Sequence, residues 1–181
     1  MAPTPAGEAA SAPSGVAISI HERRLPVPIE EVGALIDDLS SPRDRLWPRD
    51  AWPSMHLESG LRVGSAGGHG PIRYQVELYE PSRRARFRFT APRGLAGFHE
   101  FRVTESEGQT VLSHRLEARL GGLTALTWPL VYRPLHDALI EDALDRAESA
   151  LRTGAGRRAS WSMRVRVLRR LFGRPAIRRP R

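Results

Sequence analysis

The sequence predicts an α+β fold in which an antiparallel β-sheet packs against one long C-terminal α-helix. Strand-like segments with turn signals between them run from residue 55 to residue 120. A long amphipathic segment follows, from Thr127 to about Gly154, and predicts the helix. One strand and two short helices are predicted before the sheet, so the expected order is strand, helices, sheet, long helix.

Composition indicates one globular domain between two tails. The chain has 181 residues, of which 40% are hydrophobic, and this suffices for a domain with its own core. Residues 1–15 are rich in Ala, Pro, Ser and Gly and are predicted to be disordered. Residues 16–152 form the predicted domain, and residues 153–181 form a basic, arginine-rich tail.

Charge is unevenly distributed between the domain and its tail. All 28 basic residues are Arg, and 11 of them fall within residues 152–181, where Asp and Glu do not occur. Residues 1–151 therefore carry 17 Arg against 20 acidic residues, a net charge of −3. A polyanionic partner would be met by the tail.

Several classes of protein are excluded by what the sequence lacks. Cysteine is absent, so a disulfide framework and a thiolate metal site cannot form. No segment approaches the ~20 apolar residues that a transmembrane helix requires. The first 15 residues have neither the charged nor the apolar region of a signal peptide. We therefore expect a cytoplasmic protein.

The first strand and the first helix are separated by prolines. Residues 16–21 alternate between apolar and other side chains and predict a strand, which Pro26 and Pro28 end. A helix is predicted over about residues 28–40, with Pro28 in its first turn. Its apolar residues recur at helical spacing: Val32, Leu35, Ile36 and Leu39.

A second short helix is predicted to begin within residues 41–44 and to end before Pro48. Trp47 and Trp52 then lie in a proline-rich loop. We expect a loop with two indole side chains to pack on an apolar surface.

The sheet is predicted as an antiparallel meander with one buried face and one solvated face. Residues 84–90 alternate strictly, with arginines on one side and apolar residues on the other. The weaker strand candidates are residues 55–58 and 61–65, and the stronger ones are residues 71–80, 84–90, 97–105 and 109–120.

The long helix is predicted to have two distinct faces. Its apolar arc contains Ile140, Ala143, Leu144, Ala147 and Leu151. The opposite arc is acidic and contains Asp137, Glu141, Asp142, Asp145 and Glu148.

Three local motifs and the order of the elements resemble the START-like, or SRPBCC, superfamily, including its polyketide cyclase/dehydrase branch. Residues 25–32 (LPVPIEEV) look like that family's passage from strand to helix, and residues 60–64 (GLRVG) look like its glycine turn. Residues 79–87 (YEPSRRARF) resemble its hairpin. The resemblance covers roughly residues 16–152.

This resemblance implies a helix-grip fold, in which a curved sheet wraps around the long helix and leaves a cavity between them. Members of the superfamily bind hydrophobic or amphipathic small molecules, and only some of them catalyse a reaction. No catalytic residue is common to the superfamily, so none is transferred to this chain. No cofactor is expected.

Alternation along the strands predicts which side chains face such a cavity. We expect ligand contacts from His69, Tyr74, Val76, Phe87, Phe89, Phe101, Leu116, Trp128, Tyr132 and Ile140. His69 lies in a glycine-rich turn and is expected either at the mouth of the cavity or as a plain turn residue.

Three histidines from three elements are predicted to meet in the interior: His99, His114 and His136. Each could simply hydrogen-bond a buried partner, but three together indicate a polar patch in an apolar pocket. They could bind a polar group of the ligand or act as general acid and base. A metal site is not expected, because the three share no local spacing. Asp137 is not expected to pair with His136, because helix neighbours point about 100° apart.

Three functions are consistent with these features. The leading one is a module that binds a small hydrophobic molecule, and the first alternative is a cyclase/dehydrase-like enzyme that uses the three histidines. The second alternative is docking through residues 157–181, a basic amphipathic segment typical of contact with an anionic membrane surface or an acidic partner. Sequence-specific recognition of nucleic acid is not expected.

Residues 157–181 could instead have no binding role. They would then form a helix docked on the domain or a half-ordered extension. The predicted apolar line of this segment contains Trp161, Val165, Leu168 and Phe172.

Overall fold

The computed structural model of the protein describes residues 15–151 and 160–172. The predicted N-terminal tail, except Gly15, lies outside the described residues, as do the tail residues 153–159 and 173–181. The strands are β1 (Gly15–Leu25), β2 (His56–Leu57), β3 (Ala66–His69), β4 (Ile72–Glu80), β5 (Arg84–Ala91), β6 (Leu95–Ser106) and β7 (Gln109–Leu120). The helices are α1 (Ile29–Asp37), α2 (Gly122–Thr127), α3 (Arg133–Leu151) and α4 (Met163–Phe172).

One antiparallel sheet of seven strands, in the order β1-β7-β6-β5-β4-β3-β2, forms the body of the domain. Helix α2, a π-helical turn at Trp128–Tyr132 and α3 form one helical run against it. The wide turn ends at Tyr132, two residues before Pro134, which has no N–H to continue the α-helical hydrogen bonds. The predicted α+β fold, with a curved antiparallel sheet and a long C-terminal helix, is confirmed.

Strand alternation correctly predicts the buried face of the central strands. On β5 the apolar residues are buried while the arginines between them are not. On β6 and β7, the residues predicted to face inward are all buried: His99, Phe101, Val103, Leu112, His114, Leu116, Ala118 and Leu120. The facing side of α3 contributes Leu139, Ile140, Ala143, Leu144 and Ala147.

The predicted second short helix is wrong, because residues 38–52 form turns instead. Buried Asp44 explains the difference. Its carboxylate accepts hydrogen bonds from the backbone N–H groups of Ser40, Leu46 and Trp47. A side chain that bonds to nearby backbone groups in this way competes with helical hydrogen bonding.

Two strand predictions also need correction. Residues 61–65 form a turn, and the strand begins later at Ala66, because Gly60 and Gly64 adopt positive φ angles of 69° and 87°. On β4 a register shift between Val76 and Leu78 breaks the alternation. Strict alternation from Tyr74 and Val76 predicts that Leu78 faces inward, but Tyr79 packs against the core instead.

The acidic arc of α3 packs against the inner face of β1. Arg23 of β1 donates to three carboxylates of this arc, at distances of 2.9 to 3.0 Å: those of Glu141, Asp145 and Glu148. Ion pairs thus join strand β1 to helix α3. They cover part of the acidic arc of α3, which the sequence predicted on the side opposite to the apolar arc.

Helix α4 docks on the domain. Val165 is 6% exposed, and Trp161 packs against the core with its indole N–H donated to Asp142. The Arg169 guanidinium lies 3.5 Å from the ring centroid of Trp161 and 4.6 Å from that of Trp52. The first two residues of the predicted apolar line, Trp161 and Val165, therefore face the protein, as the alternative of a docked helix expects. The side chain of Phe172 lies outside the described residues.

Candidate functional site

A cavity of about 260 Å³ lies between the sheet and the helical run. Its walls are mostly apolar and aromatic, and every layer of the fold contributes to them. The sheet provides His69, Ile72, Phe89, Leu95, His99 and Leu116, and the helical run provides Thr127, Trp128, Val131, Tyr132, Leu135, His136 and Leu139. Trp52, Pro53, Gly70, Pro71 and Arg169 complete the lining.

Five of the ten residues expected to contact a ligand line this cavity: His69, Phe89, Leu116, Trp128 and Tyr132. The other five, Tyr74, Val76, Phe87, Phe101 and Ile140, are buried but are not among the described residues that line the cavity. Alternation identifies the face of a strand but not the position along it. The cavity lies toward one end of the sheet, and at the other end the same face is filled by the core.

His99 and His136 line the cavity, whereas His114 lies behind them. His99 Nδ1 is 3.3 Å from His114 Nε2, and the ring centroids of His114 and His136 are 5.1 Å apart. The three predicted histidines therefore do form one cluster. Burial lowers the pKa of His99 and of His114 well below the usual value, so both are neutral at pH 7.

The His99 ring lies among aromatic rings, stacked on Phe87 and Phe89 and edge-on to Tyr74. His99 Nε2, His114 Nδ1 and His136 Nε2 have no hydrogen-bond partner among the residues that the structure describes. An unpaired buried polar group destabilises a fold by about 1–3 kcal/mol. Three such atoms in one cluster are typical of a site that a bound molecule completes.

The expectation that His136 and Asp137 do not pair is wrong. His136 Nδ1 lies 3.2 Å from Asp137 Oδ1, because Asp137 is turned toward β1, where Ser19 donates to the same oxygen at 3.0 Å. His21 Nε2 is 3.3 Å from this oxygen. Burial lowers the pKa of His136, although the bond to Asp137 opposes the shift.

His21 is a site residue that sequence reasoning missed. Its Nδ1 lies 2.7 Å from Glu141 Oε1, and its hydrogen bond to Asp137 raises its pKa against the effect of burial. In the sheet, His21 is the direct cross-strand partner of His114. Alternation along β1 places Ala17, Ser19, His21 and Arg23 on one face, and this signal could have found it.

His69 lies in β3 beside the cavity and is half-buried rather than free at the tip of a turn. Its Nδ1 is 3.1 Å from the Tyr74 hydroxyl, and its ring packs 4.8 Å from that of Trp47. Burial lowers the pKa of His69 to about 3. The glycines before it are needed for close packing, because a Cβ at Gly67 or Gly68 would collide with a backbone carbonyl oxygen.

Arg169 of α4 also forms part of the cavity wall, and nothing in the sequence indicated it. Its guanidinium donates to the carbonyl oxygen of Ala51 and lies between two indoles. Asp142 accepts from both indoles, at 2.6 Å from Trp52 and 2.9 Å from Trp161. Helix α4 therefore completes the cavity from outside the region of family resemblance.

No family model matches the sequence, and no curated protein matches it. Several solved structures are similar to this chain. CalU16 from Micromonospora echinospora is similar over 90% of this chain and 93% of that one, with 17% identity and a TM-score of 0.53. Norcoclaurine synthase from Thalictrum flavum, in complex with dopamine and hydroxybenzaldehyde, is similar over 78% of this chain and 90% of that one, with 14% identity and a TM-score of 0.56.

The chain has the helix-grip fold. DynU16, from the dynemicin biosynthetic locus, is similar over 77% of this chain but 48% of that one, with 20% identity and a TM-score of 0.51. The resemblance to START-like proteins is thus confirmed at the level of the fold. Among the described helices, none is long and apolar enough to cross a membrane.

Proposed function

We propose that this helix-grip domain binds a small aromatic or amphipathic molecule in its cavity. The observation that carries the proposal is an apolar cavity of about 260 Å³ whose wall holds two neutral imidazoles with an unpaired nitrogen, those of His99 and His136. The apolar walls would supply affinity, and an imidazole would orient a hydroxyl or carbonyl group of the ligand.

The similar structure of norcoclaurine synthase holds dopamine and hydroxybenzaldehyde, and molecules of that class suit a cavity of this size. Burying roughly 250 Å² of a bicyclic aromatic molecule contributes about 6 kcal/mol. The cost of association offsets part of it. A dissociation constant on the order of 100 μM is therefore expected for a simple probe.

Titration with 2-naphthol and with naphthalene tests this proposal. Both probes should bind with a stoichiometry of one, and the hydroxyl of 2-naphthol should improve the affinity about 2- to 10-fold through one hydrogen bond. Isothermal titration calorimetry measures the affinity for 2-naphthol. Competition, in which naphthalene displaces bound 2-naphthol, measures the affinity for naphthalene. If neither probe binds, the proposed function is wrong. Equal affinities for the two probes would contradict the proposal that an imidazole hydrogen-bonds a hydroxyl group of the ligand.

A second proposal is acid–base catalysis, and the His136–Asp137 pair favours it. Asp137 accepts a hydrogen bond from His136 Nδ1, which leaves Nε2 as the basic nitrogen of a residue in the cavity wall. Hydrogen bonds from His136 and His21 outweigh burial and hold the pKa of the Asp137 carboxyl below its usual range. Asp137 thus remains an anion that orients the imidazole.

Exchange of the α-protons of 2-tetralone in D₂O tests this second proposal. His136 Nε2 would remove an α-proton to give the enolate, exchange it with solvent and return a deuteron. ¹H NMR should show exchange at least tenfold faster than in buffer, and His136→Phe should abolish the acceleration. The control is His56→Phe, at an exposed position of β2. Equal exchange with and without the protein would contradict the proposal.

A third proposal concerns the outer face of α4. Met163, Val167 and Leu171 are 72%, 46% and 70% exposed, and exposed Arg166 and Arg170 flank them. Apolar side chains between arginines fit an anionic lipid surface better than an acidic protein. The full-length protein should sediment with vesicles that contain phosphatidylglycerol, and M163E/L171E should not. Equal sedimentation of both proteins would contradict this role.

A further inference from the structure

Three potential ligand atoms converge beside the cavity. They are His21 Nε2 on β1 and, on α3, His136 Nδ1 and Asp137 Oδ1, and all three lie within 4.8 Å of one another. The two imidazole nitrogens lie 3.3 and 3.2 Å from the carboxylate oxygen. One strand and one helix thus bring two nitrogens and one oxygen to a common point.

These separations match those between the ligands of a tetrahedral metal ion. With metal–ligand distances of about 2.0–2.1 Å, two ligands of a tetrahedral zinc ion lie about 3.3 Å apart. Charge-assisted hydrogen bonds between imidazolium and carboxylate are shorter, about 2.7–2.9 Å. We propose that His21, His136 and Asp137 bind a divalent transition-metal ion of the zinc class.

The neighbours of His21 orient it as metal-bound histidines are oriented. Its other nitrogen, Nδ1, lies 2.7 Å from Glu141 Oε1, and Arg23 holds the second oxygen of Glu141 at 3.0 Å. With the Nδ1 proton donated to Glu141, His21 would offer its Nε2 lone pair to a metal ion, in place of the hydrogen bonds that Nε2 now makes to Ser19 Oγ at 3.0 Å and to Asp137 Oδ1. A carboxylate behind a metal-bound histidine is a common arrangement.

His114 provides a second, independent observation. It is 1% exposed, and its Nδ1 has no hydrogen-bond partner among the described residues. It is the cross-strand partner of His21, and its ring centroid lies 5.1 Å from that of His136. This unpaired nitrogen makes the interior beside the three ligands polar, but His114 is outside the group whose ligand atoms all lie within 4.8 Å of one another. Water or a bound molecule would therefore supply the fourth ligand.

The donor set selects the class of ion. Imidazole nitrogen with one carboxylate suits zinc and its neighbours in the transition series, whereas magnesium and calcium require oxygen ligands. Four carboxylates of α3, those of Asp137, Glu141, Asp145 and Glu148, lie at or next to the site, against two guanidinium groups, those of Arg23 and Arg133. This surplus of negative charge offsets the charge of a divalent ion. His136 would connect the ion to the cavity. With Nδ1 bound to the ion instead of donating to Asp137, Nε2 would carry the proton, so the metal site and the proposed basic Nε2 are alternative states of His136.

Metal analysis of the full-length protein, without a histidine tag, tests the site. After incubation with Zn²⁺ and dialysis, mass spectrometry of the elements should find one equivalent of zinc. Co²⁺ should give the intense visible absorption of four-coordinate cobalt. His21→Gln and Asp137→Asn should each weaken Zn²⁺ binding at least about 100-fold, and Glu141→Gln by about 10–100-fold, since it acts on a ligand.

The matched control is His56→Gln, which removes an exposed histidine on β2 and should leave binding unchanged. Less than a tenth of an equivalent in the unaltered protein would overturn the proposal, as would equal binding by His21→Gln. If a variant does not fold, the cobalt spectrum of the unaltered protein decides alone. The metal site does not rest on the proposed ligand, because titration with 2-naphthol after treatment with EDTA measures that function separately.

Discussion

Leu135→Trp will lower the affinity for 2-naphthol at least about tenfold, equivalent to about 1.4 kcal/mol. Leu135 lies on α3, is half-buried and lines the cavity. Its replacement by the larger indole fills space that the probe would occupy. Because the new side chain enters a void rather than a packed core, the thermal midpoint should change little. Calorimetric titration and thermal unfolding measure the two effects.

The matched control is Leu123→Trp, the same substitution on α2 at a position that is 74% exposed. This variant should bind 2-naphthol like the unaltered protein. If Leu135→Trp binds equally well, the probe is bound somewhere other than the cavity between sheet and helix.

Arg23→Gln should destabilise the domain by roughly 2–3 kcal/mol. The guanidinium joins β1 to α3 through Glu141, Asp145 and Glu148, and its side chain is 21% exposed. Removing it leaves three neighbouring carboxylates without their shared cation. The expected loss is somewhat below the ~3–5 kcal/mol measured when a fully buried pair is broken. Equilibrium unfolding in urea measures it.

The neighbouring arginine is the control for this experiment. Arg24 forms one ion pair with Glu107, and both side chains are more than half exposed. Exposed pairs of this kind contribute little to stability. Arg24→Gln should therefore leave the urea midpoint unchanged. Equal effects of the two substitutions would show that β1 is not held to α3 by the Arg23 ion pairs.

The central sheet was predictable because its strands alternate cleanly. In β5, arginines alternate strictly with apolar residues, and the hydrophobic effect alone decides which face is buried. The long helix was predictable for a related reason, since its apolar residues fall on one arc. Such periodic signals are local, so they can be recognised without knowledge of the rest of the fold.

The errors arose where a single polar or irregular contact overrides the pattern. Asp44 replaces a helix with turns by binding three backbone N–H groups, and the shift in β4 exchanges Leu78 for Tyr79. Neither event changes the local apolar pattern. Both depend on contacts that form only once the chain is folded.

The candidate site was predictable in part. The clustering of His99, His114 and His136 follows from alternation on two strands and from the helical wheel of α3. The pairing of His136 with Asp137 depends on His21 and Ser19, which lie more than 100 residues earlier in the chain. Arg169 reaches the cavity only through the docking of α4. Contacts at such sequence separations leave no periodic signal.

The most direct test of the proposed binding cavity is an NMR measurement of the complex with 2-naphthol. Nuclear Overhauser effects should connect the protons of the probe with the methyl groups of Leu116, Leu135 and Leu139, which line the cavity. They should be absent for Leu112, which is fully buried in the core. Contacts that are confined to exposed methyl groups, such as those of Leu123 or Leu171, would contradict the proposal that the ligand binds between the sheet and the long helix.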